Sequence, residues 1–233
     1  TKKDARFPVV YLLHGLAGHH DDWTNKAKLA EHAAVYNYII VTPEGNNGWY
    51  TDSLNVAADK YESYIIQELV PEIDSRFRTL ADREHRAIAG LSMGGYGSLK
   101  FGLKYPEKFV LAGSFSGALM ATTVNDKTPN GGWKIVTDTI MSVYGADDSE
   151  TRKTNDIFRI VREMTPEKAK TMPFFYIDCG TEDGLVIFNR EFVGLLMEKK
   201  LPHEYRQLPG KHDWPYWDSQ VQEFLRVSKK FIK

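Results

Sequence analysis

The sequence predicts an α/β fold, a mostly parallel, doubly wound sheet with helices on both faces. Two observations lead there. Six short apolar runs, most of them closed by a Gly- or Pro-containing turn, read as strands. Segments with helical periodicity lie between them, and strand–helix alternation implies parallel pairing through helical crossovers. The 233 residues suffice for one such domain with a full core, and 42% hydrophobic with 26% charged residues is an ordinary globular balance.

The elements follow in order. Residues 9–13 (VVYLL) form a buried strand that runs into His14-Gly15. The stretch DDWTNKAKLAEHAAVY has helical spacing, with Asp21 or Asp22 as the capping residue. A second strand lies in YNYIIVTPEG and stops at Pro43 and Gly45. NVAADKYESYIIQELVPEIDSRF reads as a long amphipathic helix with a kink or break at Pro71. HRAIAGLS is the third strand, and the helix of GGYGSLKFGLKYP ends before Pro106. FVLAGSFSG and MPFFYIDCG are strands four and five, and the more polar HEYRQLPG is a sixth at the sheet edge. LVIFNREFVGLLMEKK and WDSQVQEFLRVSKKFIK are the last two helices.

Between strands four and five, residues 118–171 are too many for a plain connection. They hold Asn130-Gly131-Gly132, a helical pattern near 134–144 and a charged stretch at 147–153. The expectation is a single domain over 1–233 with 118–171 as a cap-like insertion carrying its own short helices.

Composition excludes several functions. A net charge of -1 with no basic stripe argues against nucleic acid or an anionic membrane as partner. No apolar run approaches the roughly 20 residues of a membrane span. One cysteine, Cys179, rules out a disulfide within the chain and makes a thiolate metal cluster a poor reading. His19, His20, Asp21 and Asp22 invite a metal, but neighbouring side chains diverge, so no metal or other cofactor is expected and capping is the preferred role.

The chemistry centres on Gly90-Leu-Ser92-Met-Gly94, which matches G-x-S-x-G between an apolar strand and a helix. In that context Ser92 is an exposed nucleophile on a sharp turn. A serine hydroxyl needs a base. After Ser92 come only His203, at the start of the edge strand, and His212, in the loop LPGKHDWPYW; His212 is favoured. The acid belongs in CGTEDGL. Asp183 is chosen, with Glu182 as the alternative, while Asp178 lies within the apolar run. Asp183 also reads as a cap for the helix starting near Leu185. The oxyanion needs donors: the backbone N–H of Met93, and one from the loop after the first strand, where Leu16 is the candidate. Trp49 and Tyr50, after EGNNG, are candidates for substrate contact, as is Trp214; Tyr216 and Trp217 also flank His212.

Together YLLHGLAGHHDDW, GLSMGGYGSL, CGTEDGL and PGKHDWPYW resemble the esterase D-like branch of the α/β-hydrolases. That branch includes S-formylglutathione hydrolases, tributyrin esterases, feruloyl and acetylxylan esterases and the antigen 85 mycolyltransferases. The resemblance implies the α/β-hydrolase fold, a cofactor-free acyl-ester hydrolase, Ser92, Asp183 and His212 as catalytic residues, and Leu16 and Met93 as oxyanion donors. Members usually begin with a further pair of strands. Only eight residues precede Val9 here, so either those strands are absent or the chain is trimmed. EGNNGWYTDS and the chain length favour the tributyrin and feruloyl esterase side.

The expected function is thus a serine carboxylesterase for short-chain acyl or feruloyl and acetyl esters, acting on small-molecule or carbohydrate-linked substrates. S-formylglutathione hydrolysis or acyl transfer on the same residues, and a non-catalytic binding module, are the competing readings. Localisation and homo-oligomerisation stay open.

Overall fold

The computed structural model describes residues 4–127 and 134–232. Six strands form one sheet: β1 (Val9–Leu13), β2 (Ile39–Val41), β3 (Arg86–Leu91), β4 (Leu111–Phe115), β5 (Phe174–Gly180) and β6 (His203–Leu208). Their order is β2-β1-β3-β4-β5-β6, and every neighbouring pair is parallel. All six predicted strands are therefore present.

Side-chain alternation explains the two-faced core. Val9, Tyr11, Leu13, Ile88, Ala112, Phe175 and Ile177 point to one face; Val10, Leu12, Ala87, Ala89, Leu111, Phe115 and Tyr176 point to the other. Strands buried on both sides read as unbroken apolar runs, which is why they were visible in the sequence. The polar β6 lies at the edge and is half-buried, as its composition requires.

Helices cover both faces. α1 (Asp22–Lys26) and α2 (Leu29–Ala33) replace the single long helix expected after β1. Asp21 stands at the N-cap of α1 but in a helical backbone conformation, and its carboxylate caps nothing; it accepts from Asn25 Nδ2 at 2.8 Å instead. Capping needs an extended N-cap residue to aim its oxygen at the next amides, and Asp21 lacks that geometry. Asp22 pairs with Lys26 at 2.8 Å.

The segment around Pro71 also departs from expectation. Residues 55–60 are not helical. From there α3 (Tyr61–Ser63), a π-turn at Tyr64–Leu69 and α4 (Val70–Arg76) form one continuous run. Pro71 donates no hydrogen bond and would press on the carbonyl four residues back. The wide π-turn just before it, in which the Val70 amide bonds Ile65 O, accommodates the ring without a break.

α5 (Met93–Lys104) follows β3 directly. Among the described residues of 118–171 lie a 3₁₀ turn (Ala121–Thr123), α6 (Lys134–Tyr144), α7 (Glu150–Asn155), α8 (Ile157–Arg162) and α9 (Pro166–Ala169). Asn130-Gly131-Gly132 fall outside the described residues. α10 (Val186–Glu198) links β5 to β6, and α11 (Trp214–Ser228) closes the chain. Phe224 of α11 packs edge-on against Phe115 and Tyr176, at 5.6 and 5.8 Å between ring centres, which fastens α11 to β4 and β5.

Strand order reverses between β1 and β3, so the loops leaving their carboxyl ends diverge and open a crevice. The loops after β1, β3, β5 and β6 all emerge on that edge of the sheet.

Candidate active site

Ser92 occupies the turn between β3 and α5 with φ 53° and ψ -114°. A non-glycine residue holds such a conformation only where its surroundings leave no alternative. Here the Ser92 amide donates to Phe115 O at 2.9 Å, and Ser92 O accepts from Tyr96 and Ala118 amides at 3.1 and 3.0 Å. The flanking glycines are needed for clearance. A Cβ on Gly94 would stand 2.5 Å from Leu13 O and 2.6 Å from His14 O, and one on Gly90 would stand 2.5 Å from the Gly94 carbonyl. The helix start and the β1 backbone pass too close for any side chain.

Three loops bring their side chains together. Ser92 Oγ lies 3.0 Å from His212 Nε2, and His212 Nδ1 lies 2.7 Å from Asp183 Oδ2. The second Asp183 oxygen accepts from the Leu185 amide at 2.8 Å, so one carboxylate both orients the ring and braces the approach to α10. Burial works against the Asp183 charge. The hydrogen bond and charge of His212 and the Leu185 amide outweigh it, and the carboxyl is held below its usual range. The His212 ring stands edge-on to Trp217 at 4.9 Å, and Trp217 stands on Trp214 at 5.4 Å.

The other candidates fall elsewhere. Glu182 is exposed and faces Lys211 at 3.9 Å. His203 is bonded to Leu201 O at 2.8 Å at the far, amino end of β6. Asp178 is fully buried on β5, and desolvation raises its pKa well above the normal carboxyl value.

Ser92 and His212 border a cavity of about 330 Å³. Leu16, Trp49 and Trp214 line it. Met93 is buried at the first position of α5, where its amide is free of helix bonds and the helix dipole is positive. Tyr50 does not line the cavity. Its ring is buried and its hydroxyl donates to His14 O at 3.0 Å, because two successive left-handed residues, Trp49 and Tyr50, send their side chains apart. The sequence reading missed Leu185, Ile135, Val136, Met120, Asp22 and Lys26, which also line the cavity. Nothing in their local pattern marked them; tertiary placement alone brings them there.

The loop after β1 is tied to the loop after β2. Ala17 N donates to Asn47 Oδ1 at 2.7 Å, and His20 N donates to Glu44 Oε2 at 3.1 Å. His14 Nε2 and His20 Nδ1 each lie 3.0 Å from a Glu44 oxygen. Burial opposes the Glu44 charge, but hydrogen bonds from His20 and the Asn46 amide draw its pKa down to about 2. The histidine-rich stretch thus gathers on a carboxylate, and among the described residues no group of three or more His, Cys, Asp or Glu converges as a metal site.

A family model named Esterase matches residues 2–226. The chain belongs to the Esterase family. An acetyl esterase of Caldicellulosiruptor saccharolyticus is 31% identical over 221 residues, covering 91% of this chain and 80% of that protein. An esterase of Mycobacterium tuberculosis is also 31% identical, over 88% of this chain but 48% of its own length. A solved ferulic acid esterase superposes with a TM-score of 0.80 at 26% identity, covering 100% of this chain and 88% of the other. A fluorophosphonate-binding serine hydrolase of Staphylococcus aureus shares the fold, with a TM-score of 0.83 at 23% identity and coverage of 97% and 86%. The fold is that of the α/β-hydrolases, and this Esterase-family chain is a carboxylic ester hydrolase. Among the described residues no helix is long and apolar enough to cross a membrane.

Proposed function

We propose that this esterase works through Ser92, His212 and Asp183 as a catalytic triad and hydrolyses short-chain acyl, acetyl or feruloyl esters. The observation that carries the proposal is the hydrogen-bonded chain Ser92–His212–Asp183, at 3.0 and 2.7 Å, on the border of the cavity. His212 takes the Ser92 proton as Oγ attacks the ester carbonyl. The Met93 and Leu16 amides receive the developing oxyanion. His212 then protonates the departing alcohol, and a water activated by the same imidazole releases the acid from the acyl-enzyme. Asp183 keeps the proton of the neutral ring on Nδ1 and stabilises the imidazolium; it does not itself take the proton.

A cavity of about 330 Å³, near the lower end of the usual ligand range, favours a compact acyl group. Trp49, Trp214 and Trp217 are its aromatic walls. Ala118, Met120, Ile135 and Val136 reach it from residues 118–171, which supports reading that segment as a cap over the site. The relatives called acetyl esterase and ferulic acid esterase support the substrate class.

The test is a panel of p-nitrophenyl acetate and butyrate, methyl ferulate and S-formylglutathione compared by kcat/KM, with fluorophosphonate labelling mapped by mass spectrometry. Labelling at Ser92, and turnover abolished in Ser92→Ala, are expected. Turnover that survives Ser92→Ala would refute the assignment.

A further inference from the structure

The nucleophile helix holds a lysine that the chemistry above does not use. Lys100, two turns past Ser92 on α5, is completely buried. Its ammonium has three protons, and each has a partner: Tyr50 O at 2.6 Å, Thr51 Oγ1 at 2.8 Å and Glu62 Oε2 at 2.8 Å. Glu62, also buried, keeps further partners in Lys104 and in the Tyr105 hydroxyl at 2.7 Å. Burial draws the Lys100 pKa down to about 8 even with Glu62 beside it, so the cation persists at neutral pH.

The acceptors are informative. Trp49 and Tyr50 have φ of 51° and 52°, two successive left-handed residues with side chains. Such backbone persists only where its surroundings over-determine it. Lys100 grips the carbonyl that leaves this turn, while Thr51 Oγ1 donates to Trp49 O at 2.9 Å inside it. The ring of Tyr50 fits because residue 97 is glycine: a Cβ there would meet Tyr50 Cδ2 at 2.6 Å.

The turn has two outputs at the site. Trp49 forms part of the cavity wall, its indole N–H donating to Thr139 Oγ1 of α6 at 3.0 Å. Tyr50 donates to His14 O, one peptide before the Gly15-Leu16 segment that carries the oxyanion amide. Thr51 Oγ1 also lies 3.1 Å from the Tyr144 hydroxyl, which is 2.9 Å from that of Tyr96 on α5.

We infer that Lys100 is a positioning residue for ester hydrolysis: its ammonium clamps the Trp49–Tyr50 turn and thereby sets both the Trp49 wall and the placement of the oxyanion loop. The inference rests on the active-site reading proposed above. A buried lysine that only filled space would be replaceable by methionine, which has similar length and no charge. Lys100→Met takes the lysine from Glu62 Oε2 but leaves Oε1 with Lys104 and Tyr105, so the carboxylate keeps a counter-charge.

The test measures kcat and KM for p-nitrophenyl acetate and butyrate in wild type, Lys100→Met and Thr51→Val, per active site counted by fluorophosphonate labelling. Displacement of groups by about 1 Å costs on the order of 100-fold in rate. Lys100→Met is therefore expected to lower kcat per labelled site by roughly 10- to 100-fold and to change the butyrate-to-acetate ratio, because Trp49 has moved. Thr51→Val, which removes one Lys100 acceptor and the hydroxyl bond to Trp49 O but no charge, shifts both in the same direction by less, and it decides the matter if Lys100→Met does not fold. Kinetics per labelled site and a chain-length ratio within about twofold of wild type, whatever the Tm, would overturn the inference. A wild type that neither turns over nor labels at Ser92 would instead sink the active-site reading.

Discussion

Asp183→Asn tests the proposed chemistry most sharply, because the geometry dictates which way the new amide must face. Asp183 Oδ1 accepts from the Leu185 amide at 2.8 Å, so the asparagine oxygen stays there. Its NH₂ then replaces Oδ2, 2.7 Å from His212 Nδ1. Two donors cannot face each other, so Nδ1 becomes the acceptor and the ring proton moves to Nε2. Nε2 is 3.0 Å from Ser92 Oγ, and once protonated it cannot accept the serine proton. A base held in the wrong tautomer costs about 10⁴-fold in kcat. At 1.36 kcal/mol per decade that is about 5.4 kcal/mol of transition-state stabilisation. The assay is steady-state hydrolysis of p-nitrophenyl acetate with sites counted by fluorophosphonate, alongside circular dichroism to show that the fold and the brace at Leu185 persist. A kcat within tenfold of wild type would refute the tautomer argument.

Three further outcomes are expected. Asp178 is protonated in the folded protein at pH values where it ionises in the unfolded chain, so it binds more protons folded than unfolded and its own contribution to stability falls as pH rises above about 4; Asp178→Asn should raise Tm at pH 8 and lose that advantage near pH 4, as read by calorimetry. Phe224→Ala empties the contact with Phe115 and Tyr176 and should cost about 3–5 kcal/mol in urea unfolding. Gly94→Ala drives a methyl against the Leu13 and His14 carbonyls, so the turn at Ser92 must shift; fluorophosphonate labelling should slow by about 100-fold, and an unchanged labelling rate would show that the backbone gives way freely.

Much of the architecture was legible in the chain because its signals are local. Strands buried on both faces must be largely apolar, and VVYLL, AIAGL and the FFYI that opens β5 are. Helix limits were less legible. The run after β1 splits in two, and at Pro71 a π-turn takes the place of a break, since relief of one clash depends on how the preceding carbonyls are arranged. Ser92, Asp183 and His212 were picked out because each sits in a loop with its own glycines in the order the fold demands, although 29 residues separate the last two and 120 separate His212 from Ser92.

By itself, then, the sequence determined which segments become strands, that they pair in parallel, and which serine, acid and histidine reach the same edge of the sheet, because periodicity and chain order carry that information. Tertiary structure alone decided which of two adjacent aromatics, Trp49 or Tyr50, faces the cavity, and what Lys100 holds. Those depend on backbone angles enforced by distant neighbours: a lysine 50 residues from the carbonyl it grips, and a glycine that leaves room for a ring. No local pattern records such long-range closures, since each partner alone is compatible with an ordinary helix or turn.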